Sequence, residues 1–168
     1  MKNVKPKKKD VMEFLRESNA IEGVYDEDSL KQAKLAWDFL IGCPKLSISC
    51  ILDAHAILMK NHDIPFNEKG LFRQRPVWIG GREGVEWSHI GEFMFAWLLD
   101  VEATLEYPGP EGKHIILDHV SFENVHPFID GNGRMGRMLL NYERVKVGLP
   151  ILVIKEKERN EYYKLFKN

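Results

Sequence analysis

His126-Pro127-Phe128-Ile129-Asp130-Gly131-Asn132-Gly133-Arg134-Met135-Gly136-Arg137 gathers a base, a carboxylate, glycine-rich backbone and two guanidinium groups into twelve residues. Pro127 steers His126 out of helical dihedrals and into a loop. Gly131 and Gly133 relax the steric limits on φ, so successive backbone N–H groups can converge on an anion. Beyond them Met135, Met138, Leu139 and Tyr142 recur at the spacing of one helix face, which predicts a helix starting near Gly133. The first N–H groups and the dipole of that helix favour negative charge. Arg134 and Arg137, three apart, face one ligand from the same turn, and their planar forks suit phosphate oxygens. Asp130 is unfavourable in an anion site unless a cation lies between, and a hard oxygen ligand beside phosphates points to Mg²⁺. The stretch reads as a phosphate-handling site, yet GxxxxGK[ST] occurs nowhere in the chain, which excludes an ordinary P-loop. A glycine turn ahead of an amphipathic helix would explain any one of these residues, but not the set in this order.

This stretch resembles the signature of the Fic family at every defining position, and the resemblance extends from about Ser47 to Tyr163. It implies a single all-α domain over 1–168, with a short β-hairpin flap above the active site, that transfers AMP from Mg·ATP to a hydroxyl of a target protein. On that resemblance His126 is the general base and Asp130 holds Mg²⁺ between the α- and β-phosphates. The backbone of Gly131, Asn132 and Gly133 cradles the phosphates, Arg134 reaches the β-phosphate and Arg137 the γ-phosphate. Family members that act as phosphotransferases carry lysine at the place of Gly133, so glycine there favours the AMP-transfer pose. Imidazole chemistry supports the base role independently, because its pKa of about 6.5 leaves it able to accept a proton near neutrality.

A second informative segment lies near the N-terminus. Asp10 and Glu13 resemble the start of a capping box, and Val11, Phe14, Leu15, Ser18 and Glu22 keep helical spacing until Gly23, predicting a helix over 10–23. At about 100° per residue these positions share one stripe, so Ser18 and Glu22 lie on the apolar face. A buried carboxylate needs a partner, unless Glu22 reaches water at a frayed helix end. Ser18-Asn19-Ala20-Ile21-Glu22-Gly23 is similar to the inhibitory motif of the Fic family, in which the glutamate pairs with the second signature arginine, here Arg137, and occupies the γ-phosphate site.

In a third segment, Gly70 to Gly81, β-branched and aromatic residues bounded by glycines read as a short hairpin, with Pro76 restricting it to an edge. It resembles the Fic flap, placed here over 70–85, whose Val77, Trp78 and Ile79 would dock a target by strand addition. The alternative is a plain surface hairpin with Trp78 filling a crevice.

The rest of the chain reads as scaffold. Helical stripes run through Leu30–Ile41, Ile48–Met59, Trp87–Val101 and His114–Val125, and Gly148-Leu149-Pro150 stops the signature helix. His55 reads as a satisfied core histidine, and His119 and Phe122 as packing beneath the signature loop. A last helix is predicted from Lys157 to Lys167. Its Tyr162 and Tyr163 resemble a tyrosine pair near the adenine in the family, with core packing as an equal reading.

The chain has 168 residues, 44% of them hydrophobic, enough for one core and few for two. A net charge of −1 gives no bulk attraction to nucleic acid, although five lysines fall within residues 1–9, read as a solvated tail. Cys43 and Cys50 lack metal-ligand spacing, and neither a signal peptide nor a membrane span is evident, so a cytoplasmic location is expected. Self-modification and homo-oligomerisation stay open. Three readings remain: an autoinhibited adenylyltransferase, a Glu22-dependent hydrolase that removes AMP from a protein, and a nucleotide-sensing protein with negligible turnover.

Overall fold

The computed structural model describes residues 6–166; residues 1–5 of the expected basic tail, and Lys167 of the expected last helix, lie outside the described residues. Among the described residues seven α-helices and one hairpin follow in chain order: α1 Lys8–Ile21, α2 Glu27–Gly42, α3 Ile48–Leu58, β1 Trp78–Ile79, β2 Arg82–Glu83, α4 Ile90–Glu106, α5 Lys113–Val125, α6 Asn132–Lys146 and α7 Arg159–Tyr162. The all-α expectation with a small hairpin holds.

The signature helix α6 is the axis of the domain. Its apolar stripe suggested one buried face, but every residue from Arg134 to Glu143 is buried, so neighbours surround it. Phe14 and Leu15 of α1, Trp37 and Leu40 of α2, Met94 and Trp97 of α4 and Phe122 of α5 join Met135, Met138, Leu139 and Tyr142 in one core. Burying α6 all round forces its polar residues to find partners. Asn141 takes Leu152 as its partner, accepting from the Leu152 N–H at 2.7 Å and donating to its carbonyl at 3.0 Å. The helix ends as its sequence predicts: Gly148 has φ of 82°, its N–H donates to Val145 O, and the N–H of Leu149 donates to Arg144 O. This is a Schellman motif.

Three elements differ from the sequence reading. α1 begins at Lys8, so Lys8 and Lys9 are helical rather than tail; the capping position is Lys7, which makes no side-chain cap bond. The capping box of Asp10 and Glu13 therefore does not form, and Asp10 instead complements the helix dipole from inside the first turn. In the 70–85 segment only Trp78–Ile79 and Arg82–Glu83 pair, with Trp78 opposite Glu83 around a turn at Gly80 and Gly81, both at positive φ. Gly70 to Val77 is irregular and meets the signature loop at Arg73, whose backbone N–H donates to Pro127 O. The last helix is broken into two 3₁₀ turns, Glu156–Glu158 and Tyr163–Phe166, flanking the four-residue α7.

Candidate active site

His126 is the residue at which α5 ends. Its backbone is left-handed, φ 51° and ψ 62°, rather than the extended form that a following proline favours. Its N–H still donates to Phe122 O at 3.0 Å, and its Nδ1 lies 3.3 Å from Glu123 O. A carbonyl cannot donate, so Nδ1 carries the hydrogen and Nε2 keeps its lone pair. Burial lowers the pKa of this imidazole, with Arg73 and Arg82 adding to the effect against the Glu123 carbonyl, which favours the neutral base.

The loop after His126 is closed by Asn132. Its side chain accepts from Phe128 N and donates to Phe128 O, both at 2.8 Å. Sequence reasoning gave Asn132 a backbone role toward phosphate; its buried side chain is the staple that turns the chain into α6. Gly131, at φ 77°, caps that helix, and a Cβ there would come within 2.7 Å of Met59 Sδ. Gly133 is helical, so its value is not a positive φ. Its missing Cβ opens the space that the Glu22 carboxylate occupies.

Asp130 turns one carboxylate oxygen onto Gly131 N at 2.6 Å and lies about half exposed, its other oxygen 3.8 Å from Arg134. Its carbonyl is 3.0 Å from Nε2 of His55, whose Nδ1 accepts from Gly70 N at 2.9 Å. That fixes the Nε2–H tautomer, and burial holds the His55 pKa down at about 4. The ring stacks on Phe128 at 3.7 Å. The core-histidine reading stands, with a supporting role for the Asp130 loop.

Arg134 is buried and paired with a residue the sequence gave no reason to select: its NH1 lies 2.7 Å from His62 Nε2. Arg137 is buried too. Its Nε donates to Ser18 Oγ at 2.8 Å, its NH2 to Ser18 O at 3.0 Å and to Glu22 Oε1 at 2.7 Å. Ser18 and Glu22 thus lie on one helix face, as their spacing implied, and meet Arg137, as the resemblance to the inhibitory motif implied. The turn after α1 aims the carboxylate: Glu22 is the capping residue, Gly23 N donates to Ala20 O and Val24 N to Asn19 O, a second Schellman motif. Arg137 NH1 also lies 3.4 Å from Tyr162 Oη, itself 2.9 Å from His119 Nε2. His119 packs against Gly136 of α6 rather than beneath the signature loop, its pKa driven down to about 3 by burial and then by Arg137.

Glu22, His126, Asp130, Arg134 and Arg137 line one cavity of about 950 Å³ with the turn at residues 131–133, and Ile79 of the flap, Glu123 and Tyr163 also face it. Of the three flap residues singled out, Ile79 faces the cavity while Trp78 is 71% exposed and outside its lining. Glu123 was missed. It packs where Gly136 lacks a side chain, its Oε2 is 4.0 Å from His126 Nδ1, and burial raises its pKa to about 7. Arg73 lies within the flap segment, and the sequence gave it no role. Among the described residues no group of three or more His, Cys, Asp or Glu side chains could cage a metal.

The geometry defines a class: a helical domain built around an anion-receptive helix N-terminus with a neutral histidine at its edge. Residues 45–143 match the model of the Fic/DOC family, more than half of the chain, and the chain belongs to that family. It is 31% identical over 125 residues to the protein adenylyltransferase Fic of Drosophila yakuba, covering 73% of this chain and 24% of that one. The chain thus spans about a quarter of the length of the curated relatives it matches. Its fold is similar to a Fic domain containing signaling protein from Bacteroides thetaiotaomicron, with a TM-score of 0.79 at 19% identity over 93% of this chain and 70% of that one. Fic-1 (residues 134–508) from C. elegans gives a TM-score of 0.71 at 24% identity over 91% and 53%.

Proposed function

We propose that this chain is an autoinhibited protein adenylyltransferase that moves AMP from ATP to a serine, threonine or tyrosine hydroxyl of a protein target. The observation that carries the reading is the neutral His126 on the same cavity as the α6 N-terminus, Arg134 and Arg137. His126 Nε2 takes the proton of the target hydroxyl as its oxygen attacks the α-phosphorus. The bond from that phosphorus to the β-bridging oxygen breaks, and its electron pair leaves with pyrophosphate. A positioned base contributes about 10²–10⁴-fold, and alignment with charge stabilisation supplies the rest. The backbone from Gly131 to Gly133 cradles the phosphates, Arg134 serves the β-phosphate and Arg137 the γ-phosphate. Tyr163, at the cavity wall, is the candidate partner of the adenine.

Mg²⁺ fits the donor set. The site offers one half-exposed carboxylate, Asp130, which suits an ion that keeps its waters and shares phosphate oxygens better than one needing a protein cage. Bound there, Mg²⁺ would neutralise charge on the α- and β-phosphates.

Glu22 holds Arg137 away from ATP and sets the resting activity. Its side chain is also 34% exposed and lines the cavity, which favours a second reading in which it orients water to remove AMP from a modified protein. No helix among the described residues is long and apolar enough to cross a membrane, and Cys43 and Cys50 are free thiols. We place the activity in the cytoplasm, with ATP and a protein docked at the flap as partners.

Incubation with α-labelled ATP, Mg²⁺ and cell lysate tests the proposal. Labelled protein is expected with Glu22→Gly and none with Glu22→Gly combined with His126→Ala. Loss of label from a premodified target, requiring Glu22, would support the hydrolase instead. ATP binding without either reaction would leave a nucleotide sensor.

A further inference from the structure

The left-handed backbone of His126 costs energy and comes just before a proline, so something must hold it. Arg73 is what touches it. The Arg73 N–H donates to Pro127 O at 2.9 Å, and its Nε donates to His126 O at 2.8 Å. Its NH2 reaches Val125 O at 3.4 Å. Three successive carbonyls at the end of α5 are therefore received by one residue, and among the described residues no other donor reaches them.

The other side of the same guanidinium belongs to the flap. NH1 donates to Arg75 O at 3.0 Å and NH2 to Val85 O at 2.6 Å, the two ends of the hairpin segment. Arg73 is 4% exposed and makes these bonds with carbonyls alone. A buried cation without a carboxylate is a costly arrangement unless its fork is nearly fully used, and here four bonds are made. A lysine could not reproduce them, because a single ammonium cannot span carbonyls on both sides of a planar fork.

From this geometry we infer that Arg73 is a positioning residue for the proposed base: it locks the His126 backbone so that Nδ1 meets Glu123 O and Nε2 faces the cavity, and it ties that lock to the flap. The inference rests on the adenylyltransferase reading for its kinetic arm only. A placement error of about 1 Å at a reacting group can cost on the order of 100-fold. Loss of Arg73 therefore lowers the turnover rate more than it weakens ATP binding, since Arg73 does not line the phosphate end of the cavity.

The test compares Arg73→Gln and Arg73→Lys in the full chain with Glu22→Gly as the parent. The ¹⁵N signals of the His126 ring, recorded at pH 8, report the tautomer. The parent is expected in the Nδ1–H form and Arg73→Gln as a mixture in which Nε2–H is populated. Labelling of lysate protein from α-labelled ATP at saturation is expected to fall about 10–100-fold, while the half-saturating ATP concentration changes less than about threefold, the split expected when an interaction acts mainly in the transition state. If Arg73→Gln does not fold, Arg73→Lys decides, with the same tautomer shift and rate loss. An unchanged His126 tautomer in a folded variant overturns the inference. A parent that labels nothing sinks the adenylyltransferase reading, and the ring signals still decide the role of Arg73.

Discussion

Glu22 Oε1 lies 2.7 Å from the Arg137 guanidinium, directly over the Cα of Gly133 in the first turn of α6. On the proposed function the carboxylate competes with a phosphate of ATP for this cation and this helix end. Replacing it by glycine is expected to raise AMP transfer by tenfold or more, equivalent to about 1.4 kcal/mol of lost competition. Folding should suffer little, because Arg137 keeps Ser18 Oγ and Ser18 O, and Glu22 is a third exposed. The loss is roughly 1 kcal/mol, below the usual range for a charge-assisted bond. Thermal melting and labelling by the same preparation check both halves; a folded variant that labels no faster than wild type removes the inhibitory role.

Gly133→Ala probes the same contact from the opposite side. A Cβ at Gly133 would overlap Glu22 Oε1 and come within 3.0 Å of Arg137 NH1. In the otherwise wild-type chain the methyl group pushes Glu22 outward and partly relieves inhibition, by about two- to tenfold as a fraction of the full Glu22 effect. Combined with Glu22→Gly there is nothing left to displace, so the methyl group gives no further gain. Equal gains in both backgrounds would show that the substitution acts on ATP rather than on Glu22.

Much of this arrangement is legible in the sequence because it is local. The signature sits in consecutive residues, the pairing of Ser18 with Glu22 follows from the helical period, and Gly23 and Gly148 announce their Schellman stops. His62, Arg73 and Glu123 are different. His62 reaches Arg134 across 72 positions and Arg73 reaches His126 across 53, and no periodicity links such partners. Glu123 is near in sequence, but its burial depends on Gly136 of another helix. The burial of α6 on all sides was hidden for a related reason: Arg134, Arg137, Asn141 and Glu143 look like a solvent face until their partners are known.

Asp130→Asn tests the metal assignment with little effect on folding. Asparagine can still accept from Gly131 N through its carbonyl oxygen, so the 2.6 Å bond that turns the loop is preserved. What disappears is the anionic ligand. In the Glu22→Gly background the Mg²⁺ concentration giving half-maximal labelling is expected to rise tenfold or more, in line with the 10–100-fold penalties seen when a metal site loses a supporting group. The melting temperature should stay within about 2 °C, less than about 1 kcal/mol in a domain this size. An unchanged Mg²⁺ requirement would place the metal elsewhere.

Glu143 and Asp118 provide a pH signature outside the cavity. Both are buried, and neither Glu143 oxygen nor Asp118 Oδ2 has a hydrogen-bond donor while both groups are ionised. A shared proton supplies one. Burial, reinforced by the Asp118 charge, raises the Glu143 pKa to about 10 from an ordinary value near 4.5. A raised acid pKa means that the folded state holds a proton the unfolded chain releases. The associated stability is complete below about pH 4.5 and is lost progressively as pH rises toward about 10. His55 and His119 act in the opposite sense: their lowered pKa values of about 4 and about 3 cost stability as pH falls below 6.5. Glu143→Gln keeps a donor for Asp118 and removes the titration. The stability of the variant relative to wild type should therefore climb between pH 5 and pH 8 by up to roughly 4 kcal/mol, at about 2–4 °C of melting temperature per kcal/mol. A difference independent of pH over that window would mean that Glu143 is ionised in the folded protein. Well below pH 4.5, where Glu143 is protonated in both the folded and the unfolded chain, the two proteins should share one slope, to which the histidines contribute.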